Sequence, residues 1–187
     1  MILDIPYYSQ MVDTKNPDWK DRSCGIAALK MLLDFYKPTN LTIDDLYKKG
    51  LEMEGFLEGV GWYHHSLALI AKSLGYGAIT RSWNIPEQSL QHLKERGFEK
   101  QDLEIINRQQ MEEGLLTLKE ELSQNHPVIV SLPKGFKKGE SGHLVVLIGF
   151  DNKGFIINDP YFGEKIQLDF EKFKAIWGKR AIIIYPQ

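Results

Sequence analysis

The run Gly142-His143-Leu144-Val145-Val146-Leu147-Ile148-Gly149-Phe150-Asp151-Asn152-Lys153-Gly154-Phe155-Ile156-Ile157-Asn158-Asp159 decides the fold class. Two β-rich, apolar stretches flank Asp151-Asn152-Lys153-Gly154, and turn residues so placed predict a hairpin. Its register settles which residues share a face, because side chains alternate along a strand. A two-residue loop puts Asp159 on the face opposite His143. A three-residue loop over Asp151-Asn152-Lys153 sets Asp159 opposite Val145, a diagonal neighbour of His143 about 7–8 Å away at the backbone. A loop over Asn152-Lys153-Gly154 sets Asp159 opposite Leu147, too far for direct contact. A His143–Asp159 pair therefore requires the first of the three-residue registers.

Outward from the hairpin, Val128–Leu132, Lys165–Leu168 and Ala181–Tyr185 are further β-rich runs, with a short amphipathic helix over Asp169–Trp177. The part before Pro127 reads differently. Leu3, Ile5 and Tyr7 alternate loosely, as in a short strand or extended arm, and 11–22 is a polar loop containing Asn16-Pro17. Residues 24–36 form a helix: Ile26, Leu29, Leu32, Leu33 and Tyr36 follow helical spacing, and Ala27, Ala28, Met31 and Phe35 widen the apolar face until it is buried nearly all round. Lys37-Pro38 ends it. The middle, about 42–125, is helical in character. Thr42 and Asp45 form a capping box, Leu67, Ile70, Ala71 and Leu74 share a face before Gly75, and Pro86-Glu87 open another helix. Two amphipathic helices, 99–112 and 115–125, break at Gly114. The order predicts an α+β chain, a single domain over 1–187, with a helical part at about 1–125 and a mostly antiparallel sheet at about 126–187.

The bulk properties exclude several functions. With 23 basic and 25 acidic residues the formal charge is −2, which suggests neither nucleic acid nor an anionic membrane as partner. A 43% hydrophobic content suits a globular chain with a real core, and no run of 18 apolar residues exists to span a bilayer. The first residues show no basic region followed by an apolar stretch, so the expected location is cytoplasmic, or secreted if a leader has been trimmed. One cysteine excludes an internal disulfide. His64-His65 has no Cys, Asp or Glu at metal-ligand spacing and reads as a surface pair. No phosphate-binding glycine loop is present either, so neither metal nor cofactor is expected.

The single thiol, Cys24, stands at the joint between the polar Asp21-Arg22-Ser23 and the apolar helix start Gly25-Ile26-Ala27. With Ser23 as N-cap it lies in the first turn, where unpaired N–H groups and the positive dipole end favour an anion. Only the thiolate is a nucleophile, and a neighbouring imidazolium would lower its pKa further. A small buried core residue is the competing reading of a lone cysteine. His143, opening one strand, and Asp159, closing the next, complete the parts of a cysteine nucleophile site. Asp159 also reads as a plain Asn-Asp-Pro strand terminator. Gln10, fourteen residues before Cys24, is an amide that could donate to an oxyanion, with the Cys24 N–H as second donor. Trp62, Trp83, Tyr7 and Tyr8 are candidate cleft walls or core, and Lys134–Glu140 is a glycine-flanked loop that could act as a lid.

Together, Asp4-Ile5-Pro6-Tyr7-Tyr8-Ser9-Gln10, Ser23-Cys24-Gly25, His126-Pro127-Val128-Ile129-Val130, Gly142-His143-Leu144-Val145-Val146 and Ile157-Asn158-Asp159-Pro160 resemble the double-glycine (bacteriocin-processing) peptidase-like family, family thirty-nine of the cysteine peptidases. The likeness spans nearly the whole chain and is closer to the stand-alone members than to those fused to transporters. It implies the papain-like fold and a peptidase that hydrolyses peptide bonds, with Cys24 as nucleophile, His143 as base, Asp159 orienting the imidazole and Gln10 as oxyanion donor. It implies a peptide or protein substrate; the fused members cut leader peptides after two glycines. A monomer is expected. Ile26 departs from the family, where many members carry Pro after Cys-Gly, but keeps a helix-compatible residue. The same triad would serve an acyltransferase, and a non-catalytic peptide-binding module is the third reading. A redox role would need a second thiol.

Overall fold

The computed structural model describes residues 1–186. In chain order the elements are α1 (Cys24–Tyr36), α2 (Ile43–Glu52), a small hairpin of β1 (Phe56–Leu57) and β2 (Gly61–Trp62), α3 (His64–Ser73), β3 (Gly77–Ser82), α4 (Glu87–Glu95), α5 (Lys100–Ser123), β4 (Val128–Pro133), β5 (Gly142–Phe150), β6 (Gly154–Asp159), β7 (Gly163–Asp169), α6 (Phe170–Ile176) and β8 (Arg180–Tyr185). Six strands form one antiparallel sheet in the order β3-β8-β4-β5-β6-β7. The class is α+β, as the sequence predicts.

Both faces of the sheet centre are covered, which is why β6 is buried at every residue and β5 at Leu144–Ile148. Helix α1 lies on the face of Leu144, whose side chain packs against Gly25. Helix α5 lies on the other face, where its Glu121 accepts a hydrogen bond from Tyr185. In α1 every residue from Gly25 to Asp34 is buried, in keeping with its apolar spacing. That burial includes Lys30 and Asp34, an ion pair one helical turn apart that also bonds Thr39 and Tyr8. The Thr42–Asp45 capping box forms.

Four sequence expectations are corrected. The middle of the chain is not wholly helical: β3 and the β1–β2 hairpin lie within it, and β3 is an edge strand of the main sheet. Its short, half-exposed run Gly77-Ala78-Ile79-Thr80-Arg81-Ser82 carries little apolar signal because β8 supplies its partner. Residues 99–112 and 115–125 are not two helices but the single helix α5. Gly114 stays helical because a side chain there would meet the Trp177 ring at 2.7 Å; the glycine makes room for the Trp83–Trp177 pair. Residues 17–22 form a 3-10 turn capped by Asn16 rather than an irregular loop. The hairpin loop is the two-residue Asn152-Lys153, with Asp151 N–H donating to Gly154 O.

That loop by itself would put Asp159 on the wrong face. Phe150 pairs with Phe155 and Gly149 with Ile156, but Leu147 pairs with Ile157 and Val146 with Asn158. Ile148 is an extra residue, a β-bulge, and the one-residue shift carries Asp159 opposite Val145, onto the face of His143. The bulge is braced by the N-terminal arm: Leu3 N–H donates to Ile148 O (2.7 Å) and Phe150 N–H to Met1 O (3.1 Å). Gly149 permits this approach, since a Cβ there would collide with the backbone of Met1 and Ile2.

Candidate active site

Cys24 is the first residue of α1. Ser23 holds the N-cap position without capping through its side chain; its hydroxyl donates to Trp19 O at 2.7 Å. The first-turn amides are therefore left free, and the backbone amides of Gly25 and Leu144 are among the groups that favour the Cys24 thiolate. Burial pushes the Cys24 pKa up, but the hydrogen bond and charge of His143 and these two amides outweigh it, and the net shift is down from the ordinary thiol value.

His143 is almost fully buried and pairs through Nε2 with Asp159 Oδ1 at 2.7 Å. The same oxygen accepts the N–H groups of Tyr161 (2.8 Å) and Phe162 (3.1 Å), so it is an acceptor and Nε2 carries the proton. That tautomer leaves Nδ1 for Cys24. Burial lowers the His143 pKa, but the hydrogen bonds to Asp159 and Cys24 and their charges reverse this and push it up to about 9. Phe162 sets its ring edge-on to the imidazole, with centroids 6.5 Å apart at 82°. Tyr7 donates to Asp159 O at 3.0 Å.

Gln10 is buried beside this pair. Its N–H donates to Pro160 O (2.9 Å), and its Nε2 donates to Lys20 O (2.6 Å) just before the Cys24 helix. One amide hydrogen remains available. The structure thus brings Cys24 and His143 to one cleft, bonds His143 to Asp159, and holds Gln10 behind the Lys20–Ser23 turn.

A cleft of about 450 Å³ opens at Cys24 and His143 and is walled by Arg22, Phe56, Trp62, His64, Leu144 and Arg180. A hollow of similar size between α4 and α5 holds no nucleophile, so size alone does not mark the site. Of the candidate walls, Trp62 lines the cleft, whereas Trp83 packs on Trp177 and Tyr8 bonds Asp34. His64 is corrected: it is half-buried in the cleft wall, with its Nε2 buried and without a partner among the described residues, and of the pair only His65 is exposed. The contribution of Arg22, Glu58 and Arg180 has no local sequence signal; only Phe162, three residues after Asp159, was within reach of the motif. The Lys134–Glu140 segment packs toward Phe162 through Phe136 and lays Lys134 Nζ 3.8 Å over the Tyr161 ring. Among the described residues no cluster of three or more His, Cys, Asp or Glu is placed to hold a metal, and no helix is long and apolar enough to cross a membrane.

Helices on an antiparallel sheet, with a cysteine at a helix start facing a histidine on the sheet, make the papain-like cysteine peptidase fold, and solved structures agree. The peptidase domain of Streptococcus ComA, a bifunctional ABC transporter in a quorum-sensing pathway, superposes with a TM-score of 0.60 at 21% identity, over 89% of this chain and 93% of that one. A putative C39-like peptidase from Bacillus anthracis gives 0.66 at 18% identity, over 100% and 98%. A double glycine motif protease from an AMS/PCAT transporter, solved with a leader peptide, gives 0.58 at 19% identity, over 100% and 94%. The model of the Peptidase_C39 like family matches residues 2–181, and the chain belongs to that family. No curated protein matches it significantly.

Proposed function

We propose that this chain is a cysteine peptidase that hydrolyses peptide bonds through Cys24, His143 and Asp159, with Gln10 assisting. The observation that carries the reading is the placing of Cys24 in one cleft with His143, which lowers the thiol pKa and is itself bonded to Asp159. The thiolate of Cys24 attacks the substrate carbonyl carbon. The oxyanion is met by the Cys24 N–H and the remaining hydrogen of the Gln10 amide. As the C–N bond breaks, the His143 imidazolium gives its proton to the leaving amine. The neutral imidazole then takes a proton from water, which attacks the thioester and frees the acid and the thiol. Asp159 holds the imidazole in the tautomer and orientation both steps need.

Cleavage after small residues such as Gly-Gly fits this reading, because a residue without a side chain asks the least room of a cleft walled by Trp62 and Phe56. The structural relative bound to a leader peptide is a double glycine motif protease, which supports the same preference. The test pairs the rate of Cys24 alkylation by iodoacetamide, from pH 4 to 10, with cleavage of peptides containing Gly-Gly or Leu-Leu. Alkylation that plateaus below about pH 6, together with faster Gly-Gly cleavage, is the expected result. A rate that rises only near pH 8.5, or no labelling, would refute the peptidase reading.

A further inference from the structure

The cleft is electrically lopsided. The Cys24 end holds Asp21 and the ion pair of Arg22 with Glu58 at 2.7 Å, so its side-chain carboxylates outnumber its arginines. At the other end stands Arg180, exposed, the first residue of β8. No ion pair reaches it among the described residues. It lines both the cleft and an adjoining hollow of about 290 Å³, which it shares with His64 and which also contains Arg81 and no acidic residue. Burial, and then the charge of Arg180, hold the His64 imidazole below its ordinary pKa. His64 thus favours its neutral form, and Arg180 is the unpaired cation that lines the cleft itself, with Arg81 confined to the adjoining hollow.

The strand register places that cation relative to the nucleophile. Leu144 pairs with Ser131, and the β4–β8 pairing ends at Val130 with Ala181, the residues adjoining Ser131 and Arg180. Leu144, Ser131 and Arg180 thus stand at the same end of three neighbouring strands, and all three line the cleft. Leu144 lines the cleft beside Cys24, and its amide favours the thiolate. Two interstrand steps span about 10 Å, and an extended peptide advances about 3.3 Å per residue. A substrate lying across these strand ends meets Arg180 about two or three residues from the bond cut at Cys24.

We infer that Arg180, beside His64, is a carboxylate-binding subsite, so that preferred substrates carry an acidic side chain or a free C-terminal carboxylate two or three residues from the scissile bond. A guanidinium with no partner of its own offers a carboxylate a charge-assisted, bidentate contact, and discriminates against amides and cations. This rests on the reading of Cys24 as the nucleophile.

The test uses two sets of thiol-directed peptides. Peptidyl chloromethyl ketones extend from Cys24 toward the peptide N-terminus, and iodoacetyl peptides toward the C-terminus. In each, Glu, Gln or Lys is stepped through the first four positions, and the iodoacetyl set is made with free and amidated C-termini. The quantity read is the ratio of second-order labelling rates, Glu over Gln and free over amidated, within each variant, so that a general change in thiol reactivity cancels. Wild type should favour Glu by about 10-fold at the second or third position of one set, the size of a single good charged contact. The free-terminus arm shows whether a main-chain carboxylate serves as well as a side chain. Arg180→Gln should bring the ratio near one, and Arg180→Lys should restore part of it. Ratios near one in wild type at every position, or a preference that survives Arg180→Gln, would overturn the subsite while leaving the peptidase reading intact. A thiol that iodoacetamide labels no faster than free cysteine would overturn both.

Discussion

At the scale of the residue, Cys24 and His143 hold each other in their charged forms. The thiol pKa lies below its ordinary value and the imidazole is pushed up to about 9, so thiolate and imidazolium coexist between the two. The sign follows directly. A raised His143 pKa means the acid that protonates the leaving amine persists until pH passes about 9, and is lost above it. The pH profile of kcat/KM should therefore show its alkaline limb near pH 9, and Asp159→Asn, which removes the carboxylate that bonds the imidazole and raises its pKa, should move that limb down. A limb unmoved in the variant would mean that Asp159 does not set the imidazole pKa. Cys24→Ala should abolish cleavage, and His143→Ala should lower kcat by about 10³-fold or more, with folding checked by circular dichroism. Gln10→Ala should lower kcat by about 10²-fold with KM little changed, as for removal of one oxyanion donor. A KM effect alone would make Gln10 a brace between Pro160 and Lys20, the contacts it already makes.

At the scale of the element, glycine and an extra residue shape the strands and helices that hold the site. Gly114 in the interior of α5 would ordinarily gain about 1 kcal/mol of helix stability on replacement by Ala. Here the new methyl meets Trp177 ring atoms at 2.7 and 2.9 Å and Trp83 at 3.1 Å, in a packed aromatic cluster, and overpacking costs about 1–3 kcal/mol. The clash wins, so Gly114→Ala should lower the Tm by a few degrees. The same substitution with Trp177→Leu should show a smaller loss than the sum of the single changes; additive losses would put the effect in the helix rather than the contact. The β-bulge at Ile148 is the other device. The sequence leaves three loop registers open, of which a single three-residue loop faces His143 with Asp159, whereas the chain uses a two-residue loop and restores the shared face by the bulge. Nothing local announces that bulge, because it is stabilised by the N-terminal arm, about 145 residues away in sequence.

At the scale of the whole molecule, the arm is stitched to the helical layer by a buried polar cluster. Tyr8 donates to Asp34 Oδ2, Asp34 pairs with Lys30, and Thr39 bonds both. Burial pushes the Asp34 pKa up, but these bonds outweigh it and the net shift is down. Its stabilising contribution is therefore present above the unfolded carboxyl value of 3.8 and lost as pH falls through the depressed one. Asp34→Ala, which leaves Lys30 buried without its partner, should cost about 3–5 kcal/mol in urea unfolding, whereas Lys30→Met with Asp34→Leu should be close to neutral. A small loss in the single variant would mean that Lys30 reaches water when unpaired. The sequence by itself determined the elements whose signal is local and periodic: the buried helix at Cys24, the capping box at Thr42 and five strands after Pro127, and it marked Cys24, His143 and Asp159 as candidates. Local pattern sufficed there because helical and strand periodicity, and the chemistry of a lone thiol at a helix start, are carried by neighbouring residues. Only the tertiary structure decided that β3 belongs to the main sheet, that α5 is unbroken, that His64 and Arg180 wall the cleft and that Asp159 reaches His143 across a bulge. Each depends on partners far apart in sequence, and strand pairing, aromatic packing and charge placement across a cleft leave no mark on the local pattern of the residues they join.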